Sequence, residues 1–337
     1  MPAAKDAKDP YSILGIAKDA DRDTIQHAYR RLAKLYHPDL HPYDLNAPAK
    51  FHEIQEAYEA LTDPKKPSVD SPSPKSSPIV VGKWVIDKLF VAGDIADLYF
   101  ANNTDWKTTD NHIIKVVRDN ANNDLMETEY RAVDKLQKDK RSDNFKKYIP
   151  TLLDKSFKVD GRHTNVFSYV AGTMSLSEIV GFFPNGVDFR DIVWMGNRAL
   201  SAIGYAHRND IVHGAVTPDH LVYNVEKHSH LLVDWCYSSN GDPIKAIVSK
   251  HKAIYPPEVL RKQRPTPAVD IYMLMQCLNA AARSNVPKRF KSLIEWCLAA
   301  SPNARPSDAW DVQSRWVKTA EEEYGPAKFH KMVIPIS

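Results

Sequence analysis

The chain has 337 residues, 43% of them hydrophobic and 26% charged, and a formal charge of +3. That composition excludes a fibrous or wholly disordered protein, and the length leaves room for two folded units. So small a charge, with no long Lys/Arg block, gives no expectation of a nucleic-acid partner.

No apolar run is long enough to cross a bilayer, so no membrane partner is expected. The polar stretch from Met1 to Asp9 does not read as a secretory leader, and the expected location is cytoplasmic. Cys236, Cys277 and Cys297 are far apart and form no C-x-x-C pair. That argues against a zinc module or a disulfide framework and suits a reducing compartment.

In chain order, a short leading helix is expected around Tyr11, Ile13 and Leu14. From Asp21 to Tyr36, apolar and aromatic residues fall at Ile25, Ala28, Tyr29, Leu32, Leu35 and Tyr36, three and four apart, which predicts a helix with one buried stripe. Ala49 to Leu61 repeats the pattern with Phe51, Ile54, Ala57, Tyr58 and Leu61. Two such helices make an antiparallel hairpin whose stripes face each other. Arg30, Arg31 and Lys34 leave a basic outer face. The following loop opens with His37, Pro38 and Asp39, where proline fixes the backbone between an imidazole and a carboxylate.

The motifs P-Y-S-I-L-G (Pro10 to Gly15), Y-R-R-L-A-K-L-Y-H-P-D (Tyr29 to Asp39) and F-H-E-I-Q-E-A-Y-E-A-L-T-D-P (Phe51 to Pro64) resemble the J-domain family in order and spacing. The resemblance implies a module that docks on a chaperone of the DnaK type, the heat-shock 70 kDa class, and stimulates its ATPase. It implies that His37, Pro38 and Asp39 carry the stimulation and that Arg30, Arg31 and Lys34 supply the docking face. The family's short fourth helix is curtailed here, and the glycine-phenylalanine and cysteine-rich regions of general J-proteins are absent from this sequence. Client choice would then fall to the rest of the chain, and the client is not named by the sequence.

Thr62 to Pro78 is dense in proline and serine, which disfavours helix and central strand and reads as a linker. Beyond it, strands are expected at Trp84 to Phe90, Ala96 to Ala101 and His112 to Val117. Helices are expected near Asp124 to Leu136, Phe189 to Arg208, Ala268 to Ala281, Pro287 to Ala299 and Pro306 to Thr319. Leu231 to Cys236 reads as a strand delivering Asp234 to a turn. The expected division is 8–64, 65–78 as linker, 79–320 with lobes at 79–172 and 173–320, and a loosely attached extension at 321–337.

Within 79–320, Lys115 sits in the apolar run I-I-K-V-V, where an ammonium needs a solvent edge or a partner, and Glu129 on the next helix suits that role. The order of motifs is similar to the protein-kinase fold. The fold class implied is multidomain: an all-α J-domain helical hairpin followed by an α+β bilobal kinase-like fold. By that resemblance Lys115 falls at the phosphate-gripping lysine and Glu129 at its ion-pair partner, with Glu127 as the alternative; Ala171 to Met174 lies near the hinge. Pro256, Pro257 and Glu258 end the activation segment, Asp270 opens a core helix, and Arg305 in C-L-A-A-S-P-N-A-R-P pairs with Glu258.

The catalytic loop departs from the family. His213 to His220 reads H-G-A-V-T-P-D-H, which puts Ala215 where the base carboxylate belongs, Thr217 at a lysine and His220 at a metal-binding asparagine. A methyl group neither orients nor deprotonates a hydroxyl, and imidazole poorly suits magnesium's preference for oxygen. Asp219 matches an outward acidic position rather than the base. The glycine-rich loop keeps only Gly93, and Asp94 adds negative charge. Asp234 remains at the metal-binding aspartate, followed by Trp235 and Cys236.

These features imply a pseudokinase, with Gly93, Lys115, Glu129 and Asp234 as candidate nucleotide-binding residues. ATP and magnesium are the candidate cofactors, and Asp234 is the candidate magnesium ligand. His228 and His230 flank Ser229 in an expected tight connection between strands and offer too few ligands for a metal. Trp194, Trp296, Trp310 and Trp316 are expected as core or interhelix contacts.

Overall fold

In the computed structural model, residues 9–18, 20–35, 47–62, 79–104, 112–141 and 143–335 are described. The chain divides into two compact units, one spanning 1–76 with 336–337 and the other 77–335.

In the smaller unit, α1 (Pro10–Leu14) is capped by Asp9, whose carboxylate accepts the Tyr11 amide, and ends at Gly15 with φ of 64°. Only glycine takes that left-handed cap without steric cost. The hairpin helices are α2 (Arg22–Leu35) and α3 (Ala47–Thr62). Leu14, Ile25, Ala28, Ile54 and Ala57 are buried between the three helices, and Tyr29 stacks on Tyr58 at 4.1 Å. The expected stripes therefore meet. Tyr36, like His37, Pro38 and Asp39, lies outside the described residues, as do the side chains of Leu35, Arg30, Arg31 and Lys34 on α2.

The larger unit begins with β1 (Ile79–Val81), β2 (Trp84–Ala92), β3 (Ala96–Asn103) and β4 (His112–Val117), followed by α4 (Asn123–Lys138) and the single turn α5 (Asp143–Lys146). Next come β5 (Leu152–Val159) and β6 (Arg162–Ser168), which complete a six-stranded antiparallel sheet, among the described residues, ordered β1-β2-β3-β4-β6-β5. The helical lobe holds β7 (Met174–Ser175), α6 (Leu176–Gly181), α7 (Phe189–Arg208), β8 (Leu221–Asn224), β9 (Ser229–Leu232), α8 (Pro257–Leu260), α9 (Ala268–Ala282), α10 (Lys288–Cys297) and α11 (Ala309–Tyr324). Helix α7 runs through its centre with one side wholly buried, including Ile192, Met195, Ala199, Leu200, Ile203 and Ala206.

Three expectations need correction. The strand expected at Leu231 to Cys236 ends at Leu232; Asp234 has φ of 68° and Trp235–Tyr237 forms a 3-10 turn. His230 belongs to β9 rather than to the connection, which leaves His228 alone in the turn.

The extension after Glu321 is not loose. Helix α11 continues to Tyr324, Phe329 stacks on His228 at 4.4 Å, His330 lies 3.7 Å from Asp191, and Met332 is 5% exposed. Aromatic and apolar residues past the acidic run find a surface to cover, so the tail packs back.

Among the four helical tryptophans, Trp316 is fully buried, Trp194 stacks on His228, Trp310 meets Phe145 and Trp296 lies under Arg315. No described helix is long and apolar enough to cross a membrane.

Candidate functional site

Every residue of β4 is buried, because the strand is central in its sheet and α4 covers it. Lys115 is therefore an ammonium inside the protein, 4% exposed, and it must be paired there. Its Nζ lies 3.0 Å from Glu129 Oε1 and 2.5 Å from Asp234 Oδ1. The other oxygen of Glu129 accepts from Asn165 Nδ2 at 3.0 Å, and the same amide reaches the Met126 carbonyl. Glu127, the alternative partner, bonds Arg131 on the helix exterior instead.

Asp234 is engaged on both sides. Oδ1 takes Lys115 and also the Cys236 thiol at 2.8 Å, while Oδ2 lies 3.1 Å from His220 Nε2. The remaining ring nitrogen, Nδ1, is 2.8 Å from the Ala215 carbonyl. Both neighbours of the imidazole are acceptors, an arrangement that favours a ring donating from both nitrogens. Burial opposes that charge, but Asp234 outweighs it and raises the pKa of His220. Burial likewise acts to raise Asp234, yet Lys115 and His220 hold its carboxyl well below the usual range. Burial pushes Glu129 up, with Lys115 opposing. Lys115 stays charged against its own burial because Asp234 and Glu129 flank it. Lys115, His220 and the two carboxylates thus close one network that joins β4, α4 and the helical lobe.

The loop around Ala215 is held from behind. Buried Asp270 accepts the amides of His213 and Gly214 at 2.7 and 2.8 Å and contacts His207 Nε2 at 2.8 Å. His213 Nδ1 accepts the Ala215 amide, so its Nε2 donates to the Val233 carbonyl and the ring is neutral. Burial takes its pKa down to about 4. Ala215 and Thr217 are both fully buried, and Thr217 Oγ1 has no hydrogen-bond partner. Asp219 points away, to Lys250 and His251, each at 2.6 Å. Arg305 meets Glu258 at 2.5 Å, both buried.

Gly93 has a local reason to be glycine. Its amide reaches Ala96 O in the β2–β3 turn, and a Cβ there would lie 2.5 Å from that oxygen.

These residues do not fit a magnesium nucleotide. Magnesium needs several oxygen ligands, and the carboxylate in place to give them is engaged by an ammonium on one oxygen and an imidazole on the other. Among the described residues no group of three or more His, Cys, Asp or Glu side chains is placed to hold a metal. Sequence reasoning missed Asn165, His207 and the contact of His220 with Asp234. The last had a signal: β8 pairs with β9 so that Leu221 faces Leu232, which sets His220 beside Val233 and next to Asp234.

A family model described as the DnaJ domain matches residues 9–68. The N-terminal segment is a J domain. It is 57% identical over 60 residues to the chaperone protein DnaJ of Halothermothrix orenii, covering 18% of this chain and 16% of that protein. DnaJ of Thermotoga maritima is 52% identical over 63 residues, covering 18% and 17%.

The J domain thus matches a small part of those relatives, and the remainder of the chain resembles something else. The kinase domain of PknI from Mycobacterium tuberculosis, in a mutant form, superimposes with a TM-score of 0.57 at 17% identity, over 74% of this chain and all of that one. A second crystal structure of the PknI kinase domain gives 0.54 at 16%, covering 73% of this chain and 99% of that one. The larger unit has the bilobal protein-kinase fold.

Proposed function

We propose that the chain is a co-chaperone: its J domain recruits a DnaK-type chaperone in the cytoplasm and stimulates ATP hydrolysis there, while its kinase-fold unit binds a client or scaffold protein and transfers no phosphate. The J-domain match supports the first half, since it includes His37-Pro38-Asp39. Ala215 carries the second half. Phosphate transfer to a hydroxyl needs a group that orients the acceptor and takes its proton, and the side chain at that position is a buried methyl. Among the described residues no neighbour supplies a substitute, because Asp219 is committed to Lys250 and His251, and His220 to Asp234 and Ala215 O.

The second reading, an atypical serine/threonine kinase acting on a chaperone-associated protein, draws on the surviving Lys115–Glu129 pair. Burial explains that pair without catalysis, since the lysine must be neutralised wherever it lies inside the sheet.

Steady-state ATPase of a DnaK-type chaperone, measured with the intact chain and with His37→Gln, tests the first half. A several-fold rise that the variant loses is expected; no rise at high excess removes the co-chaperone reading. Incubation with labelled ATP and a general acceptor protein tests the second half. Label transfer that disappears in Lys115→Ala would establish the kinase reading instead.

A further inference from the structure

We propose that His220 excludes the divalent cation from this kinase fold by occupying Asp234, so that the Lys115–Asp234 ion pair, and not a metal nucleotide, joins the two lobes. This goes beyond the loss of phosphate transfer, which follows from Ala215 alone.

The geometry is specific. The imidazole is fixed at both ends, with Nδ1 2.8 Å from Ala215 O and Nε2 3.1 Å from Asp234 Oδ2, and its side chain is 10% exposed. Hydrogen bonds at both ends leave the ring no second arrangement that keeps them, so it is not a passing occupant of the carboxylate. Asp234 Oδ1 is taken by Lys115 and Cys236. A cation approaching Asp234 must therefore displace the fixed ring from one oxygen or an ammonium from the other, which breaks a buried hydrogen bond in the first case and leaves an unpaired charge inside the protein in the second.

One substitution closes two places. Imidazole removes the oxygen donor at position 220 and, by reaching across, also removes the carboxylate at 234. The same contacts run from Lys115 on β4 and Glu129 on α4 to Asp234 and His220 in the helical lobe. These side chains span the lobes directly, and on this proposal the surface the lobes present to a protein partner is independent of nucleotide.

All seven tryptophans lie at Trp84 or beyond, so tryptophan emission of the full-length chain reports the larger unit alone. The test follows its thermal unfolding in ATP with a chelator and in ATP with excess magnesium, for the natural chain, for His220→Asn and for His251→Asn as a control histidine. The natural chain and the control should melt at the same temperature in both conditions. His220→Asn, which frees Asp234 Oδ2 and supplies an amide oxygen, should gain a magnesium-dependent rise on the order of 5 °C at saturating ligand.

A magnesium-dependent rise in the natural chain would overturn the proposal while leaving the consequence of Ala215 intact. A folded His220→Asn chain that gains nothing from magnesium would overturn it as well. Should His220→Asn fail to fold, His220→Gln carries the same two outcomes.

Discussion

Two buried histidines in the larger unit are held neutral, and each makes stability depend on pH in a defined direction. Burial lowers the pKa of His213 to about 4 and that of His230 to about 3, from 6.5 in the absence of structure. A histidine depressed in the folded state contributes stability that is complete above pH 6.5 and lost as pH falls towards the folded value, because only the unfolded chain takes up the proton. Each should cost about 2 kcal/mol at pH 5. His220, raised, and Asp191, lifted to about 6 by burial, pull the opposite way. The isolating measurement is therefore a difference: urea unfolding from pH 7 to 5 should show a flatter acid limb in His230→Phe than in the natural chain, and equal slopes would mean that His230 is not buried neutral. At the same scale, Arg305→Ala leaves Glu258 charged without its partner in a buried site, and should destabilise the unit by about 3–5 kcal/mol, read from the urea midpoint. Residues like these are legible in sequence as motif positions, whereas their partners are not. Glu129 was found from Lys115 because a buried ammonium demands a carboxylate, but nothing in the spacing alone marks Asn165 as the amide holding Glu129.

The long helices were readable because each repeats its apolar positions over several turns, as α7 does at Ile192, Met195, Ala199, Leu200 and Ile203, whereas the short α5, α6 and α8 carry no such repeat and were missed. The missed strands lack such a record. In β6 the buried residues include Thr164 and Asn165, so polar side chains stand where an apolar alternation would be sought, and β8 has four residues. Without β8 the hairpin that brings His220 to Asp234 cannot be drawn, which is why the metal site looked half open in sequence. The tail was misjudged for a related reason: it opens on an exposed acidic run, while the apolar residue that is buried, Met332, comes after it and belongs to no period. Helix α7 also carries a glycine whose presence contradicts helix propensity. A Cβ on Gly196 would lie 2.9 Å from Leu278 Cδ1 and 3.0 Å from two ring atoms of Trp316, which is fully buried and has no room to retreat. Gly196→Ala should therefore lower stability by about 1–3 kcal/mol despite the gain of up to ~1 kcal/mol in helix propensity. A rise in melting temperature would show that α7 and α11 separate easily.

At the scale of the whole chain, the two units use charge in opposite ways. The kinase fold keeps its decisive charges inside, in the Lys115–Glu129–Asp234–His220 network and the Arg305–Glu258 pair, where salt screens them little. The proposed chaperone contact of the J domain relies on Arg30, Arg31 and Lys34 meeting an acidic partner across water, an attraction that ions weaken and that acts mainly on the rate of encounter. On the proposed function, covalent connection matters because it would deliver the chaperone to a client held by the larger unit at raised local concentration without any further contact. The two regimes separate in one salt series on the intact chain. Between about 0.05 and 0.3 M salt the Debye length shrinks by more than half, so stimulation of the chaperone ATPase below saturation should fall several-fold, and Arg30→Glu should depress it already at low salt. Over the same range the melting temperature reported by tryptophan emission should move by no more than a degree or two. Salt-insensitive stimulation would place the contact on residues other than this basic face, and a melting temperature that falls steeply with salt would mean that the charge network of the kinase fold is open to solvent.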